Sequence, residues 1–273
     1  MHSLLRTGRV FAYPAHVSMR ESVDVESSWI VRRSPRAGAR MRLYCFAHAG
    51  GGSLAFHPWT SEPWPEIEVC AVQLPGRENR LREPAVGEVG PLLERLVAAL
   101  LPTLDRGPFA FFGHSLGALL AFEVTRALRR RGAPLPRLLI AAGRAAPSHG
   151  GAAHRLSAIA DDDQFVRAVQ SYYGGIPPAL LAERELLALI APILRADLKL
   201  AEHYEYRAEP PLPVPIRALG GDDDPAVDEQ ALRDWSAETT AGFGVQRFPG
   251  GHFFVQESRG ALLRAIRTLI MEH

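Results

Sequence analysis

Short apolar runs that stop at glycine or proline alternate, along most of this chain, with longer stretches whose apolar residues recur every three or four positions. RLYCFAHAGGG (Arg42–Gly52), EIEVCAVQLPG (Glu66–Gly76), FAFF (Phe109–Phe112), RLLIAAG (Arg137–Gly143), PIRALGG (Pro215–Gly221) and GVQRFPGG (Gly244–Gly251) are the short runs. They are short, mainly apolar and end in turns, and read as strands. EVGPLLERLVAALLPTL, the stretch Leu116–Arg131 and SRGALLRAIRTLI carry the helical period, and Gly132 stops the second of them. Strand–helix alternation of this kind predicts an α/β fold, with a mostly parallel central sheet and helices on both faces.

The alternation lapses twice. Residues 1–28 mix Arg with Ser, Pro and Gly and read as a poorly structured extension. Met19 is an alternative natural start, and the first strand-like patch is WIVRR at Trp29–Arg33. Residues 29–273 read as a single domain, since 273 residues with 47% apolar and 22% charged composition suffice for one large core. Between Gly143 and Pro213 no strand is expected. Two amphipathic helices are, the first capped within Asp161–Asp163 and carrying Phe165, Val166, Val169, Tyr172 and Tyr173 on one face. The second carries Leu186, Leu187, Ile190, Ile193, Leu194 and Leu198. An insertion over about 144–212 in an otherwise regular sheet reads as a lid.

Net charge is +1, which gives no footprint for nucleic acid or an anionic membrane. No apolar run is long enough to span a bilayer, and the first residues do not form a signal peptide. Cys45 and Cys70, the only cysteines, sit inside apolar strand-like runs and read as buried free thiols of a reducing compartment. A cytoplasmic location, without membrane or nucleic-acid partner, is the expectation.

At the joint between the third apolar run and its helix stands Gly113-His114-Ser115-Leu116-Gly117. A strand, G-x-S-x-G and a helix in succession make a turn that lifts the serine hydroxyl out at the carboxyl end of a sheet and at a helix N-terminus. Serine becomes a nucleophile only with a base, and the base needs an acid to orient it. His252 follows the last strand in PGGHFF, in the chain order that such sites use. The acid falls within Asp222, Asp223 and Asp224. Pro225 restricts Asp224 to extended backbone, Asp222 and Asp223 read as solvated turn residues, and Asp228 is a reserve candidate. Backbone N–H groups of Leu116, after the nucleophile, and Ala49, in the glycine turn His48–Gly52, are the expected oxyanion donors, with Gly50 as second choice for the latter. Neither a phosphate loop, HExxH nor paired CxxC occurs, so no metal or cofactor is expected.

Taken together, CFAHAGGGSLAFHPW, VQLPGRENRLREP, FFGHSLGALLAFEVTRAL, LGGDDDP and FPGGHFF resemble the type II thioesterases that accompany polyketide and non-ribosomal peptide synthases. The resemblance runs from about Trp29 to the C-terminus, and the LPGRE segment is its most specific part. Ala47 stands where the family usually has proline, and Gly50–Gly52 has one glycine more. The resemblance implies an α/β-hydrolase fold with a helical lid and a triad of Ser115, Asp224 and His252, the acid–proline pair selecting Asp224. It implies a freestanding, monomeric enzyme that removes aberrant acyl groups from the phosphopantetheine thiol of acyl or peptidyl carrier proteins. The phosphopantetheine then belongs to the partner. Rival readings are an acyltransferase or chain-releasing cyclase, a generic carboxylesterase, and a hydrolase-fold binding protein without catalysis.

Overall fold

In a computed structural model, which describes residues 24–149 and 155–273, eight strands form one sheet. They are β1 (Asp24–Ser27), β2 (Ile30–Arg32), β3 (Met41–Phe46), β4 (Ile67–Val72), β5 (Phe109–His114), β6 (Leu139–Ala142), β7 (Ile216–Gly221) and β8 (Phe243–Phe248). The spatial order is β1-β2-β4-β3-β5-β6-β7-β8. All pairings from β4 to β8 are parallel, and β1 and β2 add an antiparallel edge. The chain leaves β3 for β4 on one side and returns to β5 on the other. The strand order therefore reverses between β3 and β5, and a crevice opens beyond their carboxyl ends.

Nine helices are described: α1 (His57–Thr60), α2 (Val89–Leu104), α3 (Leu116–Arg130), α4 (Asp162–Tyr173), α5 (Pro178–Ala182), α6 (Arg184–Glu202), α7 (Glu229–Arg233), α8 (Phe254–Glu257) and α9 (Arg259–Met271). Alternate residues of the central strands feed two cores. Tyr44, Phe46, Phe109 and Phe111 pack with Leu96, Leu100 and Leu119 on the α2–α3 face. Leu43, Cys45, Ala110 and Phe112 pack with Trp59, Leu262 and Ile266 on the other. With both faces covered, period-2 patterning weakens, which is why these strands are mainly apolar on both faces. Helix α3 is buried along nearly its whole length.

The sheet starts before the expected boundary. Residues 1–23 of the expected extension lie outside the described residues, but Asp24–Ser27 forms an edge strand against β2 and is not irregular. Its sequence, DVES, carries no apolar run that would mark a strand. Over the described residues of the insertion there are three α-helices where two were expected. Asp161 caps α4 by accepting the Gln164 N–H at 2.8 Å, and the short α5 starts at Pro178 within the GGIPP separator. Phe165, Val166, Val169, Leu187, Ala191, Leu194 and Leu198 form a third apolar cluster between α4 and α6. Behind the insertion, Glu209 ties the returning chain to Arg126, Arg129 and Arg130 of α3.

Helix α3 lies so close to β3 that a Cβ on Gly117 would stand 2.1 Å from the Phe46 carbonyl oxygen, and one on Gly113 2.2 Å from the Gly117 carbonyl. Backbone is the obstacle in both places, so no rotamer change relieves it. Gly117→Ala is expected to destabilise by about 1–3 kcal/mol or more. Gly90→Ala, near the start of α2 with open space around it, should stabilise by roughly 0.5–1 kcal/mol. Urea denaturation of the two variants checks this; equal stabilities would mean that α3 can retreat from the sheet at little cost.

Candidate active site

Ser115 is the residue on which strand β5 turns into α3. Its backbone has φ 55° and ψ −114°, a region that non-glycine residues rarely occupy and that costs on the order of 1–3 kcal/mol. The turn is held on both sides. The Ser115 N–H donates to the Ala142 carbonyl at 2.8 Å, and the Ala118 N–H donates to the Ser115 carbonyl at 3.0 Å. The hydroxyl projects at the α3 N-terminus, beyond the carboxyl end of the sheet.

His252 reaches it from the loop after β8. Its Nε2 lies 3.0 Å from Ser115 Oγ, and its Nδ1 lies 2.8 Å from Asp224 Oδ2. A carboxylate only accepts, so Nδ1 carries the proton and Nε2 is left as the acceptor that faces the hydroxyl. Both side chains are buried, at 4% and 0% exposure, so this pairing is largely shielded from water. Asp224 Oδ1 accepts the Ala226 N–H at 2.9 Å, which fixes the carboxylate just past β7. The loops after β7 and β8 touch: a Cβ on Gly221 would meet the Gly251 carbonyl oxygen at 2.2 Å. Gly250, at φ 120°, makes the bend that returns the chain towards Ser115.

The neighbouring aspartates lie elsewhere. Asp222 and Asp223 are exposed, Asp222 beside Arg247. Asp228 caps α7 through the Ala231 N–H. The two expected oxyanion donors lie in the β3–α1 loop and at the start of α3. Among the described residues, neither the Ala49 nor the Leu116 N–H has a protein acceptor. Gly50, the second choice, donates its N–H to Asp197 Oδ2 at 2.7 Å and is not available for a substrate oxygen.

Two further histidines, to which the sequence reading gave no role, stand against the first. His114, within the elbow itself, lies 2.9 Å through Nε2 from the His252 carbonyl oxygen, so Nε2 must carry the proton and donate. It thereby holds the loop that carries His252. The His48 ring packs at 5.2 Å against His114 and at 4.9 Å against Phe253. Burial, reinforced by His48 and His252, pushes His114 well below the ordinary histidine range. Burial, with His252 and Arg77 nearby, lowers His48 to about 4. Both are neutral at pH 7, leaving His252 as the imidazole of this cluster placed to accept a proton from Ser115.

The insertion lies on the same spot. The Tyr173 ring is 4.7 Å from the His252 ring, and Gly175 rests so closely on Phe253 that a Cβ would come within 2.3 Å of its ring. Tyr173 falls on the expected apolar face of α4, but its contact with the imidazole could not be foreseen from helical spacing. Burial raises its hydroxyl to about 12, so it stays neutral. Among the described residues no cluster of His, Cys, Asp or Glu is arranged to hold a metal, and no helix is long and apolar enough to cross a membrane.

The two depressed histidines make folding sensitive to acid. In the unfolded chain each titrates near ~6.5, so below that pH the unfolded state binds protons that the folded state does not. The associated stability is complete above about pH 6.5 and is lost as pH falls towards the folded value, about 4 for His48. For His48 the loss amounts to roughly 3 kcal/mol at most. His48→Gln should therefore lose less stability than wild type between pH 7 and pH 4.5 in urea denaturation; parallel losses would show that His48 is accessible to protons in the folded state.

Known proteins resemble this chain in sequence and in fold. GrsT, a gramicidin S biosynthesis protein of Aneurinibacillus migulanus, is 38% identical over 233 residues, covering 85% of this chain and 90% of its own. The solved structure of RedJ, a thioesterase of the prodiginine pathway of Streptomyces coelicolor, superimposes with a TM-score of 0.79 at 37% identity over 85% of this chain and 86% of RedJ. BorB, a type II thioesterase from the borrelidin biosynthetic cluster, superimposes at 0.77 with 34% identity, over 88% and 95%. The family model of the thioesterase domain matches residues 41–270, and the chain belongs to that family: it is a thioester hydrolase on an α/β-hydrolase fold.

Proposed function

We propose that this enzyme is a freestanding editor that frees stalled or aberrant acyl groups from the phosphopantetheine thiol of carrier proteins in polyketide or non-ribosomal peptide assembly. The single observation that carries the reading is the unbroken hydrogen-bond relay Asp224–His252–Ser115 at a strained elbow. It occurs in a chain similar to proteins of gramicidin S, prodiginine and borrelidin biosynthesis. As Ser115 Oγ attacks the thioester carbonyl, its proton passes to His252 Nε2 and Asp224 stabilises the resulting imidazolium. The carbonyl oxygen becomes an oxyanion, for which the N–H groups of Ala49 and Leu116 are the donors. Collapse breaks the C–S bond, His252 returns the proton to sulfur, and the thiol departs with its carrier. Water then repeats the sequence on the acyl-serine, with His252 as base, and releases a carboxylic acid. No metal or cofactor is required by these steps, and the pantetheine arm belongs to the partner.

The thiol is a good leaving group, so the chemistry itself selects weakly among acyl chains. Each methylene against an apolar wall adds only about 1 kcal/mol. Selection therefore rests with the carrier, and the same acyl group should react with higher kcat/KM on a carrier protein than on a truncated pantetheine thiol. Equal efficiencies would overturn carrier recognition and leave a small-molecule thioesterase.

Ser115→Ala should abolish turnover of acyl-carrier protein, apart from a residual rate of about 10³ over water. Asp224→Asn should lower kcat by about 10⁴, because an amide favours the wrong imidazole tautomer. Asp222→Asn and Asp223→Asn, both at exposed positions, should stay within a fewfold of wild type. Steady-state kinetics of the four variants on one acyl-carrier substrate decides. Similar losses at the three aspartates would overturn the assignment of the acid.

A further inference from the structure

Three separate stretches of chain meet on one carboxylate that the reaction does not use. Asp197, on helix α6 of the insertion, is 1% exposed, and its partner Arg77, from the LPGRE segment, is 5% exposed. Arg77 grips it with two nitrogens, NH1 to Oδ2 at 2.6 Å and NH2 to Oδ1 at 2.9 Å. Asp197 Oδ2 also accepts the Gly50 N–H at 2.7 Å, across 147 residues of sequence. Arg77 NH1 in turn donates to the Gly51 carbonyl at 3.0 Å. The glycine turn after β3 is thus held at two successive residues by an ion pair whose acid comes from the insertion.

We propose that Asp197 is a positioning residue for the oxyanion site: by holding Gly50 and, through Arg77, Gly51, it orients the turn so that the Ala49 N–H is presented to the substrate oxygen. This rests on the proposed role of Ala49. In a trans peptide N–H and C=O point to opposite sides. Anchoring the Gly50 N–H on α6 turns the Ala49 carbonyl away from α6, and the Gly51 N–H, donated to the His48 carbonyl at 2.9 Å, sends the Ala49 N–H the other way from Gly51. Of the N–H groups of Ala49, Gly50 and Gly51, Ala49's is the one left without an acceptor among the described residues. The bond from Gly50 is charge-assisted and its acceptor is buried, so it holds the turn more firmly than a neutral hydrogen bond would. The glycines bring no side chains of their own, so the restraints on Gly50 and Gly51 come from Asp197 and from its partner Arg77. Ala49 also packs against both the main core and the cluster of the insertion, so a shift of α6 reaches this residue directly. The oxyanion site is therefore complete only with α6 seated.

The test compares wild type with Asp197→Asn on p-nitrophenyl propionate and on a propionylated carrier protein. A donor displaced by about 1 Å costs up to ~10²-fold. The expected result is a 10- to 100-fold fall in kcat on both substrates with KM within about threefold. Affinity for propylboronic acid, whose serine adduct is a tetrahedral anion, should fall by a similar factor, while a non-hydrolysable propyl thioether of pantetheine binds as before. A purely structural role would not separate those two ligands. Should Asp197→Asn fail to fold, the double variant Arg77→Met with Asp197→Leu carries the test, since an apolar pair can replace a buried ion pair without loss of stability. In it, kcat and boronate affinity should stay low although the melting temperature returns. Recovery of kcat to within threefold of wild type, unchanged boronate affinity in Asp197→Asn, or failure of both variants to fold would overturn the proposal. The ester assay needs no carrier. Loss of carrier turnover by wild type with ester hydrolysis intact would therefore overturn the substrate reading and leave the role of Asp197 standing.

Discussion

Helix α3 can present Ser115 only because it is pressed against strand β3 at a distance that excludes any side chain. Gly117 meets the Phe46 carbonyl and Gly113 meets Gly117, backbone against backbone. That approach makes the turn sharp and places the start of α3 beside the loop that leaves β3. It brings the Leu116 N–H and the glycine turn His48–Gly52 to the same crevice, beyond the point where strand order reverses between β3 and β5. The strain at Ser115 is sustained by the two aromatic cores that the sheet buries on either side.

Around that elbow the protein assembles three imidazoles and keeps their tasks apart by environment. His252 has a buried carboxylate behind it and a hydroxyl in front. His114 has a carbonyl to donate to, and His48 has aromatic neighbours; burial makes protonation of both unfavourable. A second positive charge beside the imidazolium of the proposed mechanism would oppose it, and the neutral pair avoids that cost.

The insertion does more than roof the site. Through Tyr173 it covers the base, through Gly175 it rests on Phe253, and through Asp197 it grips the turn after β3. The LPGRE segment, which as sequence only marked a resemblance, supplies the arginine of that grip. One element thereby touches both the imidazole of His252 and the turn that carries the proposed oxyanion donor.

Local sequence was enough to show the α/β alternation, the elbow at Gly113–Gly117, the glycine-flanked His252 and a restricted Asp224 before Pro225. Each is a short-range matter of period, of conformational freedom at glycine or of its loss before proline. The DVES edge strand and the short α5 escaped because neither carries an apolar period: one is recognisable only by its pairing with β2, the other begins at a proline that reads equally as loop. What the sequence by itself determined is which residue types could do the chemistry and in what order they come along the chain. Only the tertiary structure decided how Asp224 reaches the imidazole, that Gly50 is spent on Asp197, and that His114 carries the His252 loop. Those choices are made by contacts across 28 to 147 residues, and no local pattern encodes where two distant loops will meet.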